Sequence, residues 1–158
     1  MVGVTDKLLL GIEYCTKCLS LKPYQKFANE AHGNRKSRYI LISEAPGKDS
    51  LKNGKYWTGK SGKVLRSCTS DYSNGLEKLF YLTDIVKCWP HLEDENRSPY
   101  LLEIITCKDW FKMEALEIVP EMIICFGNAS ARAIIGRKIK VTKHHGTIHR
   151  STYGPALV

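Results

Sequence analysis

Three short apolar runs constrain the fold of this chain most: Tyr39–Ser43 (YILIS), Phe80–Val86 (FYLTDIV) and Met122–Phe126 (MIICF). Each is nearly continuous in apolar residues and rich in β-formers and aromatics, the pattern of strands buried on both faces of a parallel sheet. Helix-like stretches separate or follow them, near Gly62–Ser70, Pro99–Leu116 and Asn128–Ile135, with Pro99 suited to a first turn and Gly136 to a C-terminal stop. Strand–helix–strand alternation implies right-handed crossovers and a three-layer α/β doubly wound sheet, mostly parallel. Ligands of such sheets bind beyond the C-terminal strand ends. The loops Glu44–Lys60 and Lys87–Ser98 are therefore the candidate functional segments. Beyond Ile139 the pattern weakens. Lys140–Thr142 and Thr147–His149 are expected as a hairpin or edge strands, and GPALV as the beginning of a last, incomplete strand.

The 158 residues suit one domain spanning 1–158, and 43% hydrophobic content argues against disorder. No stretch reaches the roughly 18 consecutive apolar residues of a membrane span. The N-terminal residues have no basic leader or small-residue cleavage site, so a cytoplasmic location is expected. A net charge of +8 favours polyanionic partners, nucleic acid above all.

Six cysteines occur: Cys15, Cys18, Cys68, Cys88, Cys107 and Cys125. Cys15 and Cys18 form CTKC. Cys88 closes the second strand run, and Cys107 falls within the next helix pattern. In a cytosolic chain this spread suits a metal better than disulfides. Four thiolates serve either tetrahedral zinc or a [4Fe–4S] cluster, and spacing alone does not choose. Cys125, inside a strand, and Cys68, on a helix, read as core or surface residues.

Taken in order, the segments resemble family 4 uracil-DNA glycosylases. Ser43–Gly47 (SEAPG) is similar to that family's GEAPG, and Gly54–Leu65 (GKYWTGKSGKVL) to its G-x-P-F-V-G-x-A-G-x-L-L. Thr83–Pro90 (TDIVKCWP) is similar to TNVVKCRP, Asn96–Pro99 (NRSP) to N-R-x-P, and EIVPEMIICFGNASARAIIG to its third strand and following helix. Five motifs in order, covering roughly Glu13 to Gly146, carry more weight than any one of them. The resemblance implies a DNA repair enzyme that hydrolyses the N-glycosidic bond of a flipped, deaminated base. It also implies a structural [4Fe–4S] cluster held by Cys15, Cys18, Cys88 and Cys107. Trp57 would stack on the base, and the backbone of Ser43, Glu44, Ala45 and Gly47 would align it. Asp84 and Asn96 would face its edge. Glu44 and Asp49 would position the attacking water, and Lys48, Lys52, Lys55, Lys60 and Lys63 would neutralise DNA phosphates.

Four departures bear on activity. Asp84 replaces an Asn that reads uracil; an ionised carboxylate only accepts, which suits the exocyclic amine of cytosine better than uracil O4. Ser50-Leu51 replaces an acidic pair, and Ser43 replaces a Gly. The family's His-Pro motif, whose His stabilises the leaving uracil anion, has no clear counterpart. One alignment makes PALV the strand that precedes it; another puts TYGPA on T-Y-H-P-A, with Gly154 in place of the His. Losing one such donor costs about 10²–10³ in rate. Three readings follow: a glycosylase, a catalytically inactive iron–sulfur DNA-binding or scaffolding subunit, and a chain whose sheet edge a partner protein completes by β-addition.

Overall fold

The computed structural model describes residues 4–18, 20–21, 32–70, 75–136 and 139–158. The strands are β1 (Tyr39–Ser43), β2 (Tyr81–Asp84), β3 (His91–Leu92), β4 (Glu95–Asn96), β5 (Met122–Cys125), β6 (Ile148–Ser151) and β7 (Gly154–Leu157). The helices are α1 (Asp6–Glu13), α2 (Lys48–Asn53), α3 (Lys60–Thr69), α4 (Gly75–Leu79), α5 (Leu101–Ile118), α6 (Asn128–Ile135) and α7 (Val141–His144). The central sheet has the order β2-β1-β5-β7-β6; neighbours among β2, β1, β5 and β7 run parallel, and β6 is antiparallel to β7. β3 and β4 form a separate small hairpin.

The continuous apolar runs are explained by burial on both faces. Ile40 and Ile42 of β1 pack with α1, α5 and α6, through Leu8, Leu9, Phe111, Ala115, Ala131 and Ile134. Leu41, pointing the other way, joins Leu82, Tyr56 and Leu76, with Leu65 of α3 at their margin. Helices thus cover both faces of the sheet, giving three layers. From β1 the chain moves outward to β2, then returns past β1 to β5. That reversal leaves a crevice at the C-terminal ends of β1, β2 and β5.

Three local expectations change. Lys140–Thr142 is not a strand: Val141 begins the short helix α7, where the Asn128 Oδ1 accepts its N–H at 2.9 Å. A single apolar residue among lysines and histidines gives a strand no face to bury. GPAL does form a strand, but an internal one, with β5 on one side and β6 on the other. The edge expected for β-addition is therefore absent at β7. Helix α5 begins at Leu101 rather than Pro99, because Glu103 reaches back to the Tyr100 N–H (2.7 Å) and places the cap there. No helix among the described residues is long and apolar enough to cross a membrane.

Candidate active site and cysteine centre

A cleft of about 580 Å³ opens at the C-terminal strand ends. Ser43 ends β1, Asp84 ends β2 and Phe126 follows β5, and all three line it. The loop Glu44–Ser50, the segment from Tyr56 to Gly62, and Glu95 and Asn96 of the small hairpin complete the wall. The structure thus gathers Ser43, Glu44, Ala45, Gly47, Asp49, Trp57, Asp84 and Asn96 around one space. It also adds Phe126, whose position just past a strand end was the signal available in sequence.

Trp57 is held from below by its backbone. Its φ of 59° lies in the left-handed region, unusual for a bulky residue. Arg66 of α3 secures that conformation by donating through Nε to the Trp57 carbonyl (3.0 Å) and through Nη2 to the Tyr56 carbonyl (2.7 Å). Arg66 is itself fixed by Glu77, whose carboxyl is pulled down to about 2 by its bonds to Arg66 and Lys55, against the opposing effect of burial. Gly62 lies directly beneath: a Cβ there would stand 2.0 Å from the Trp57 carbonyl oxygen. The Trp57 ring meets Phe126 edge-on at 5.2 Å, so the cleft carries an aromatic pair.

Asp84 is the most deeply buried polar residue among the described residues lining the cleft. Burial raises its carboxyl from the ordinary 3.8 to about 7, partly opposed by the Ser43 hydrogen bond and the Lys87 charge. The Ser43 hydroxyl donates to Oδ1, while Oδ2 is buried with no hydrogen-bond partner among the described residues. Two of the departures noted above therefore touch each other: Ser43 and Asp84 stand opposite in the β1–β2 register.

Behind Asp84 lies a buried polar network that sequence reading missed. Lys87 Nζ donates to Glu114 Oε2 (2.6 Å), Thr83 Oγ1 (2.5 Å) and the Asp84 carbonyl (2.7 Å). Glu114 also accepts from Tyr81 (2.7 Å) and Thr83 (3.0 Å). The signal was a Glu on the buried face of α5, flanked by Cys107, Phe111, Ala115 and Ile118.

The polar loops that resemble family motifs prove to be braces as much as binding groups. Asn96 Oδ1 accepts from the Lys48 N–H (2.9 Å) and the Trp89 indole (2.7 Å), which ties the Glu44–Ser50 loop to the hairpin. Arg97 grips Glu103 with two bonds (2.6 and 2.8 Å) and donates to the His91 carbonyl (3.1 Å). Lys48 pairs with Asp94 and Lys55 with Glu77, whereas Lys52, Lys60 and Lys63 have no carboxylate partner among the described residues. No histidine is among the residues lining the cleft. Gly154 begins β7 beside Pro120, at the opposite end of the sheet, so the alignment that puts it at a catalytic position does not hold.

The second centre lies beyond the end of β2. Cys15, Cys18, Cys88 and Cys107 line one small cavity together with Ile12, Lys17, Lys87, Thr106 and Trp110. The Trp110 indole donates to Cys15 Sγ (3.3 Å) and the Lys87 N–H to Cys107 Sγ (3.2 Å). Burial raises Cys107 to about 11, with Cys18 and Cys15 adding to the rise; burial and then Cys15 raise Cys18. The cavity holds about 10 Å³, and Cys15 and Cys18 on its wall are only half-buried. No set of three or more His, Cys, Asp or Glu among the described residues is arranged to hold a single metal ion. None of the six cysteines is in a disulfide. Cys125 is raised to about 12 by burial alone and belongs to the core, and Cys68 is exposed on α3.

A family model for the uracil DNA glycosylase superfamily matches residues 30–157. The type-4 uracil-DNA glycosylase of Archaeoglobus fulgidus is 30% identical over 129 residues, 82% of this chain and 62% of its own length. That of Saccharolobus solfataricus is 31% identical over 125 residues, 79% of this chain and 56% of its own. A DNA polymerase of Bacillus phage SP01 is 30% identical over 130 residues, 82% of this chain but 14% of its own length. The chain spans about three fifths of the length of these two glycosylases.

Proposed function

Because this chain belongs to the uracil-DNA glycosylase superfamily, we propose that it is a DNA repair glycosylase acting on one base extruded from the stack. The observation that carries this reading is the cleft itself. It lies at the strand ends and falls in the size range of small-molecule sites. It joins an aromatic pair, Trp57 and Phe126, to a buried hydrogen-bonding group, Asp84. A flipped base needs those two features, a face to stack on and an edge to read. Trp57 stacks on it, Asp84 meets its edge, and the backbone from Ser43 to Gly47 aligns it. Water adds to C1′ as the C1′–N bond breaks, the bonding electrons leave with the base, and Asp49 or Glu44 accepts the water proton. Lys60 and Lys63 at the start of α3, with Lys52, are placed to meet phosphates.

We read Cys15, Cys18, Cys88 and Cys107 as the ligands of one [4Fe–4S] cluster, within a single-domain protein of the cytoplasm. Four thiols on one cavity, with N–H donors to two of the sulfurs, support that donor set. Four thiolates serve zinc as well as a cluster; the choice of the cluster rests on the resemblance to type-4 uracil-DNA glycosylases. When bound, the cluster cross-links the CTKC segment, the end of β2 and α5, next to the cleft, and takes no part in bond cleavage.

A second reading, a DNA-binding subunit without excision, is favoured by the partnerless Asp84 Oδ2 and by the lack of a histidine among the cleft-lining residues. Single-turnover excision with protein in excess tests both, on single- and double-stranded oligonucleotides carrying uracil, cytosine or hypoxanthine. Abasic product upholds the glycosylase. DNA binding without product upholds the second reading, and no DNA binding refutes both.

A further inference from the structure

Ser43 and Asp84 each depart from the motif they resemble, and the structure puts them in contact. They are register partners at the ends of β1 and β2, and the Ser43 hydroxyl donates to Asp84 Oδ1. A glycine at position 43 would leave both carboxyl oxygens unclaimed. With serine, one oxygen is committed and Oδ2 alone remains without a partner, in a side chain that is about 1% exposed and lines the cleft.

We propose that Ser43 is a specificity-determining positioning residue, which fixes the Asp84 carboxyl so that a single oxygen reads the Watson–Crick edge of the bound base. This rests on the glycosylase reading and deepens it. Ionised, that oxygen only accepts, and it selects a base presenting an amine, of the cytosine type. Protonated, its O–H donates to a carbonyl such as uracil O4. The two forms therefore prefer different bases, and the crossover follows the Asp84 titration.

The groups around Asp84 act in both directions. Lys87, following β2, favours the ionised form, as does the Ser43 hydrogen bond; Glu114 of α5 and Glu44 after β1 oppose it. Tyr56, between α2 and α3, also lies close by, and burial holds its phenol neutral. The balance sets the carboxyl at about 7, where both forms are populated. Removing the Ser43 bond withdraws a stabiliser of the charged form. A hydrogen bond to a charged group of this kind corresponds to an upward move of about one to two pH units.

The test has two arms on the full chain. In DNA-free protein, the Asp84 carboxyl carbon is followed by ¹³C NMR from pH 5 to pH 9.5 in wild type, Ser43→Ala, Ser43→Gly and Ser43→Thr. In parallel, the uracil-to-cytosine excision ratio is measured over the same range, with Asp84→Asn as the variant lacking a titrating carboxyl. The expected result is a midpoint near 7 in wild type, higher in Ser43→Ala and Ser43→Gly, and restored by Ser43→Thr. The base ratio should track that midpoint and lose its pH dependence in Asp84→Asn. An unmoved midpoint overturns the pair. A moved midpoint with an unmoved base ratio overturns the specificity role while leaving a uracil-excising enzyme intact. Bases excised without discrimination at every pH overturn this inference alone, and no base excised at any pH overturns it together with the glycosylase reading. If Ser43→Gly fails to fold, Ser43→Ala carries the same comparison.

Discussion

Asp84→Asn isolates the energetic consequence of burying a carboxyl at the cleft. In the native protein burial holds the Asp84 carboxyl at about 7, against an ordinary 3.8. The native state thus keeps a proton that the unfolded chain has released, so stability falls as pH rises from about 4 to 7 and levels off above that. A displacement of about three pH units, at about 1.4 kcal/mol each, puts the full cost near 4 kcal/mol. About 3 kcal/mol of it accrues between pH 5 and pH 8. Asparagine keeps the shape and the acceptor for Ser43 while removing the charge. Urea unfolding of both proteins at pH 5, 6, 7 and 8 is the assay, with the difference between them cancelling every other titrating group. Asp84→Asn should gain on wild type by about 3 kcal/mol across that range. Two stability curves that stay parallel would refute the burial argument.

Two further outcomes are expected. Under the proposed cluster assignment, Cys88→Ser should lose most of the bound iron and the absorbance near 400 nm. Cys125→Ser should keep both while losing about 1–3 kcal/mol, because a hydroxyl replaces a thiol in an apolar core; equal iron loss in the two variants would refute the ligand assignment. Gly62→Ala should lower the melting temperature by several degrees, from about 1–3 kcal/mol of overpacking. It should also weaken base-dependent DNA binding by displacing Trp57, and unchanged tryptophan fluorescence with unchanged binding would show that the close approach at Gly62 is not needed.

Much of this molecule was legible because its strands carry a burial signature that depends on local sequence alone. YILIS is buried on both faces over Ile40–Ile42, and MIICF is buried on one face and half-buried on the other, so their continuous apolar character gives their place in a parallel sheet and, with it, the end at which ligands bind. The four cysteines that the family resemblance implies as ligands, Cys15, Cys18, Cys88 and Cys107, line one cavity in the structure. Segments with few apolar residues were not readable in this way. Lys140–Thr142 became a helical turn because Asn128, thirteen residues away from Val141, supplies its first hydrogen bond. GPAL lay inside the sheet rather than at its edge because β6 pairs with its other flank; an edge strand was expected near Thr147–His149, but its sequence did not say which strand it would pair with.

By itself, the sequence determined the residue chemistry: six thiols, an aromatic in a glycine-rich loop, and a carboxylate where the motif it resembles has an amide. Tertiary structure alone decided what those residues do to one another. It put Ser43 against Asp84 across forty-one residues of chain, set Lys87 and Glu114 between the cleft and the cysteines, and turned Asn96 and Arg97 into braces. Hydrogen bonds and desolvation depend on distances in space, and those exist only once the sheet has brought its strand ends together.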